Sequence, residues 1–184
     1  MQLGGVWAGV AAAATLLVGA VAAEAATVKV TSAVAAGKTF SVSSLSAPSL
    51  AVTLNGNDQT GAFQAQLQVA DARGLAKRGG WNLTIGASQF TDGAGHVLPS
   101  DADTIASVAA TCDSGSTCSL PANTVSSSGL AVPQSPARAK FFNATTGTGL
   151  GRIDVTPTVN VRIPANTVAG RYSSTLTVAL SAGP

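Results

Sequence analysis

Acidic helix formers, histidine and aromatics are almost missing from this chain. Across 184 residues there is one Glu (Glu24), one His (His96), one Met and one Tyr, and charged residues make up only 10%. Scarce Glu and Lys exclude a long coiled coil, whose exposed face needs such residues. A single His beside two close cysteines cannot assemble the usual zinc ligand sets. Ten Lys and Arg stand against eight Asp and Glu, a net charge of +2. Spread along the chain, that surplus leaves no basic stripe for a phosphate backbone, so nucleic acid is not an expected partner. What is present is Ser, Thr, Val, Ala and 20 Gly, with 46% apolar residues. That is the composition of an all-β domain, and the length suits a single one.

The longest apolar run is at the start. From Val6 to Ala23 the only polar side chain is Thr15, and the run closes on Ala23-Glu24-Ala25. A small-x-small triplet after such a stretch is what a signal peptidase cuts, here between Ala25 and Ala26. No Lys or Arg precedes the run. The alternative is an uncleaved anchor, because about eighteen apolar residues just reach membrane-spanning length. Cleavage removes Glu24 and raises the net charge from +2 to +3. Export in turn explains Cys112 and Cys118, which enclose Asp113-Ser114-Gly115-Ser116-Thr117. An even count in an exported chain argues for a disulfide across this short loop.

Further along, strand patterns alternate with turn chemistry. Leu50 to Leu54 reads as a strand ended by Asn55-Gly56-Asn57-Asp58. Phe63, Ala65, Leu67 and Val69 alternate with three glutamines, which predicts one strand with a buried and a wet face. Trp81, Leu83 and Ile85 share a face after Gly79-Gly80. Residues 91–135 read as long loops holding one or two short strands. Ile153 to Ile163 and Tyr172 to Leu180 alternate again, with Pro157 placing the first of these at an edge or on a bulge. The expected fold is an Ig-like, Greek-key sandwich of two β-sheets, preceded by an N-terminal signal helix. The expected organisation is a signal peptide over 1–25, an N-terminal strand and spacer over 26–48, and the sandwich over 49–184.

Leu120-Pro121-Ala122-Asn123-Thr124-Val125 recurs as Ile163-Pro164-Ala165-Asn166-Thr167-Val168. Two similar strand-exit turns account for this more simply than a duplicated module. Catalytic chemistry finds no foothold. His96 sits in a loop-like Gly95-His96-Val97-Leu98-Pro99 without a nucleophile elbow nearby. Asp101 and Asp103 lie in a polar loop and read as solvated turn residues. A calcium clamp from Asp92, Asp101 and Asp103 has no Gly-spaced ligand loop behind it. No enzyme, metal or cofactor is expected.

Two motifs stand apart. Trp81-Asn82-Leu83 reads Trp-x-Leu, with Asp71-Ala72-Arg73-Gly74 before it and Phe90-Thr91 after it. Near the C-terminus, Tyr172 to Leu180 is similar to Tyr-x-x-x-Leu-Thr-Trp-x-Leu, with Val178 at the Trp position. In this order the chain resembles WxL-domain proteins of Gram-positive bacteria, over about Leu50 to Pro184 and best over 52–91 and 152–184. The resemblance implies a β-rich extracellular domain held non-covalently on the cell wall. Peptidoglycan is the ligand class it implies, with other surface proteins nearby and no membrane contact after signal cleavage. It singles out Trp81, Leu83, Asp71, Arg73, Tyr172, Leu176, Leu180 and Arg171 as candidate binding residues. By residue chemistry alone, Trp81 is either a core indole or a sugar-stacking ring. Asp71 and Arg73 form either a turn-stabilising ion pair or a ligand contact. Arg152, Arg162 and Arg171 are either solubilising or matched to wall carboxylates and phosphates. A different class of function is a structural or adhesive surface subunit that assembles through strand edges.

Overall fold

The computed structural model describes residues 8–19, 29–32, 40–46, 48–73 and 79–183. These residues form two six-stranded sheets and no helix. None of them builds a helix long and apolar enough to cross a membrane. The first sheet runs β10 (Ala139–Ala144), β7 (Trp81–Ala87), β12 (Gly170–Ala182), β1 (Ala8–Gly19). The outer edge of β1 carries β2 (Lys29–Ser32) over one stretch and β4 (Leu50–Thr53) over another. The second sheet runs β3 (Phe40–Ser44), β6 (Leu67–Asp71), β11 (Gly151–Ile163), β8 (Asp103–Cys112), β9 (Leu130–Ala131). There β5 (Gln59–Gln64) shares with β6 one edge of β11. Every pairing is antiparallel except β1 with β4.

Period-two alternation produces the core. Ile153, Val155, Val159, Val161 and Ile163 of β11 are fully buried and Pro157 shares their face, while the alternate residues from Asp154 to Arg162 are part-exposed or exposed. From the other sheet, Trp81, Leu83 and Ile85 of β7 and Leu176, Val178 and Leu180 of β12 close on the same cluster. Burying each large side chain contributes roughly 1.5–3 kcal/mol before chain entropy opposes it. The expected all-β, two-sheet fold is therefore what forms.

Several local expectations change. The anticipated leader helix is absent over the described part of the run: Ala8–Gly19 is a strand, paired with β12 from Ala8↔Leu180 to Val18↔Gly170. A continuous apolar run has no period to separate helix from strand, and the unpaired edge of β12 offers its backbone a ladder. The expected cleavage point after Ala25 lies outside the described residues. The single strand expected over Phe63 to Val69 is two, β5 and β6, interrupted at Ala65-Gln66. All four apolar residues of that stretch are nevertheless buried. Pro157 sits in the middle of the sheet, not at its edge, and the irregularity expected of it is present. The β11–β8 register shifts after Thr158, and the opposite edge passes from β6 to β5 beside Pro157. Its missing N–H thus falls where no ladder bond is due. In the stretch expected to be mostly loop, β8 is a ten-residue strand paired along β11.

The disulfide Cys112–Cys118 is present, with Cα atoms 5.6 Å apart, and closes the loop leaving β8. The two Pro-Ala-Asn-Thr-Val copies serve different ends. Pro164 and Thr167 make the β11–β12 turn, where the Thr167 N–H and hydroxyl both donate to the Pro164 carbonyl. The first copy is instead an irregular segment pinned to β10, with Asn143 Oδ1 accepting from the Thr124 N–H at 2.8 Å.

Candidate functional site

The two Trp-x-Leu-like segments, almost a hundred residues apart in sequence, are neighbours in the sheet. Strand β7 pairs with β12 so that Leu83 faces Leu180, Ile85 faces Val178 and Trp81 faces Ala182. Val178, standing where the motif expects Trp, is buried against this ladder. Trp81 is 0% exposed, its ring 5.9 Å from that of Phe142, and its Nε1–H donates to the Gly149 carbonyl at 2.9 Å. Gly149 must be glycine twice over. Its φ is +73°, and a Cβ there would stand 2.6 Å from Trp81 Nε1.

Most other sequence-predicted site residues are enclosed as well. Leu83, Tyr172, Leu176 and Leu180 are buried. The Tyr172 hydroxyl donates to the Val168 carbonyl at 2.8 Å, and desolvation, with the Asp92 charge second, raises its pKa. Asp71 is 2% exposed and is gripped by Arg73, whose Nε and Nη2 donate to its two carboxylate oxygens at 2.9 and 2.7 Å. Arg73 Nη2 also donates to the Gly80 carbonyl, and its guanidinium lies 3.7 Å from the centre of the Phe40 ring. That arrangement clips the end of β6 to the start of β7 and is already fully engaged. Arg171 alone among the eight residues is exposed, and it makes no ion pair among the described residues. Arg152 and Arg162 face Asp113 and Asp101 at 3.7 and 2.8 Å.

Of two shallow concave surfaces among the described residues, one is lined by Pro48, Phe63 and Gln66 and the second lies at the other end of β12, beside Tyr172. A shallow cleft of about 380 Å³ opens between the loop after β7 and the β11–β12 turn. Val97, Pro99, Pro164 and Val168 give it apolar walls, and Gln89, His96 and Asn166 line it with polar groups. Val97 and Val168 are 53% and 48% exposed, unusual for valines flanking a packed core. Local chemistry fixes the loop. Asp92 Oδ1 accepts from the Ala94 and His96 N–H groups, Asp92 Oδ2 meets His96 Nδ1 at 2.5 Å, and Gly95 takes φ +106°. The His96 hydrogen bond is the main cause holding the Asp92 carboxyl below its usual pKa. Gln89 Nε2 donates to the Leu98 carbonyl at 2.6 Å and ties the loop back to its root.

No group of three or more His, Cys, Asp or Glu able to hold a metal occurs among the described residues. Of the three carboxylates weighed for calcium, Asp92 holds His96 and Asp101 holds Arg162. Asp103 departs from expectation: it is 5% exposed, not solvated. Its Oδ1 has no hydrogen-bond partner, and burial pushes its pKa up to about 7.

A protein-family model, the WxL domain described as surface cell wall-binding, matches residues 20–184. The chain belongs to the WxL family. It is thus a cell-wall-binding protein of the cell surface, and the two motifs that suggested it are one paired ladder of its core. Comparison with curated proteins finds no match, and neither does comparison with solved structures. Sequence reasoning missed the cleft of this WxL domain, whose walls come from loops with no periodicity. The available signal was Val97 and Val168, each next to proline-bearing turns.

Proposed function

We propose that this WxL domain is exported with loss of residues 1–25 and holds peptidoglycan non-covalently, without catalysis, through the loop end of the sandwich. The observation that carries the reading is the division of labour along β12. Trp81 and the leucines are sealed inside, while Val97 and Val168 stand half-exposed around the cleft that Tyr172 lines. Apolar walls suit the CH faces and acetamido methyls of amino sugars, and the Asn166 and Gln89 amides suit their polar edges. The exposed Arg171, next to Tyr172, suits a carboxylate of a peptide stem, which a guanidinium binds in bidentate fashion.

The test is sedimentation of the processed chain with purified sacculi. Val97→Asp combined with Val168→Asp is expected to leave most of the protein in the supernatant while the unfolding midpoint stays put. Added salt and Arg171→Ala are expected to weaken retention more modestly. Absence of sedimentation above background contradicts the proposal. A second reading, a surface subunit that assembles by strand-edge contacts, is favoured by one observation. The outer edge of β12 is covered by a strand lying wholly outside the family match.

A further inference from the structure

The cleft beside Tyr172 is lined by the one imidazole of the chain. Other polar side chains around it are engaged within the protein. Gln89 Nε2 donates to the Leu98 carbonyl, the Thr167 hydroxyl to the Pro164 carbonyl, and the Tyr172 hydroxyl to the Val168 carbonyl. His96 is engaged on one side of its ring. Nδ1 meets Asp92 Oδ2 at 2.5 Å, while Nε2 has no hydrogen-bond partner among the described residues and the side chain is half-exposed.

Asp92 decides which nitrogen carries the hydrogen. Its carboxyl is held below the usual pKa, first by the bond with His96, and it also accepts from the Ala94 and His96 N–H groups. An ionised carboxylate can only accept, so Nδ1 is the donor. The neutral ring then keeps a bare lone pair on Nε2. The charges around the ring are few. Asp92 comes from its own loop, and Asp101 further along that loop is paired with Arg162. Strand β12 brings Arg171 and Tyr172, and desolvation keeps the Tyr172 hydroxyl neutral by raising its pKa. The β11–β12 turn over 164–169 has no charged residue, and Asp58 accepts from its Ala165 N–H. The charge nearest a neutral imidazole is thus the negative one of Asp92, which disfavours an anionic ligand at Nε2 and favours a hydrogen-bond donor.

We propose that His96 selects the sugar in this cleft: its Nε2 accepts a hydrogen bond from a hydroxyl or acetamido N–H of an amino sugar in the wall glycan, with Asp92 as the positioning residue that fixes the tautomer. This rests on the cleft being the wall-binding site. The sugar and a proton then compete for the same lone pair. Acid weakens binding, and bound sugar by the same factor makes the ring harder to protonate.

The chain is secreted without a histidine tag, and its surface form is used as produced. His96 being the sole histidine, its ring nitrogen signals in NMR are unambiguous. In the free protein, above the titration of the ring, they are expected to show the hydrogen on Nδ1. The probe is chitotetraose, which carries the hydroxyl and acetamido groups and no carboxylate. At saturation it is expected to move the His96 titration midpoint to lower pH. His96→Phe is expected to weaken chitotetraose binding about fivefold or more. His96→Gln, whose Oε1 accepts but does not titrate, is expected to recover part of that loss and to bind independently of pH. Asp92→Asn retains an oxygen for the loop N–H groups and turns an NH2 toward Nδ1. It is expected to move the hydrogen to Nε2 and to weaken binding as His96→Phe does, in a chain that stays folded.

A midpoint that stays still or rises, full affinity in His96→Phe, or no binding of chitotetraose overturns the proposal. Sacculi separate these failures from that of the cleft itself. Wild-type protein in the pellet, released by Val97→Asp/Val168→Asp, leaves the cleft standing without this role for His96. No retention of the wild type removes the cleft reading and this inference together.

Discussion

The two ends of β12 are equally buried and do opposite things. At one end Leu180 lies opposite Leu83, and Trp81 is closed in by Phe142 and the glycine at 149. At the other, Tyr172 is 1% exposed, yet the loops above it part into a cleft edged by half-exposed valines. The motif that names the family is thus a packing device. The surface proposed to hold a wall polymer is made by loops that the motif only supports.

Substitutions separate the two ends by size of effect. The largest loss belongs to Trp81→Ala, about 3–5 kcal/mol, since it empties a fully buried indole site and orphans the Gly149 carbonyl. Urea unfolding measures it, and wall retention is expected to fall in parallel because the fold itself fails. Arg73→Ala follows, on the order of 3 kcal/mol, by leaving the Asp71 carboxylate buried and unpaired. Adding Asp71→Asn to that variant is expected to recover part of the loss.

Asp103→Asn goes the other way. The folded-state pKa of Asp103 is raised to about 7, so the native state holds a proton that the unfolded chain gives up near 4. Stability is therefore full below about pH 4, declines as pH rises to about 7, and is level beyond it. The Asn variant is expected to gain a few kcal/mol at pH 8 and almost nothing at pH 4, flattening the unfolding profile. Replacing Cys112 and Cys118 by Ser is expected to cost about 2 kcal/mol, the chain-entropy value for so short a loop. At the small end, Val97→Asp and Val168→Asp are expected to shift stability by less than about 0.5 kcal/mol, as exposed substitutions do.

How legible each region was follows from how local its cause is. The strands at Ile153–Ile163 and Tyr172–Leu180 announce themselves because side chains alternate along the strand itself. The adjacency of Trp81-Asn82-Leu83 and Val178-Ala179-Leu180 does not, since register between distant strands leaves no mark on either one. Asp103 looked solvated because Asp101 beside it is, and only the pairing of β8 with β11 decides which of the two turns inward. The apolar run at Ala8–Gly19 reads as a leader from composition, and its seat on β12 depends on an edge that composition does not show. The cleft is the least legible feature, built where loops from two strand pairs meet.

The most direct measurement is co-sedimentation of the processed chain with sacculi, alongside Val97→Asp/Val168→Asp at a verified, unchanged unfolding midpoint. Wild-type protein in the pellet and the variant in the supernatant is the expected result. Equal retention of both places wall contact away from the loop end and contradicts the assignment of that cleft.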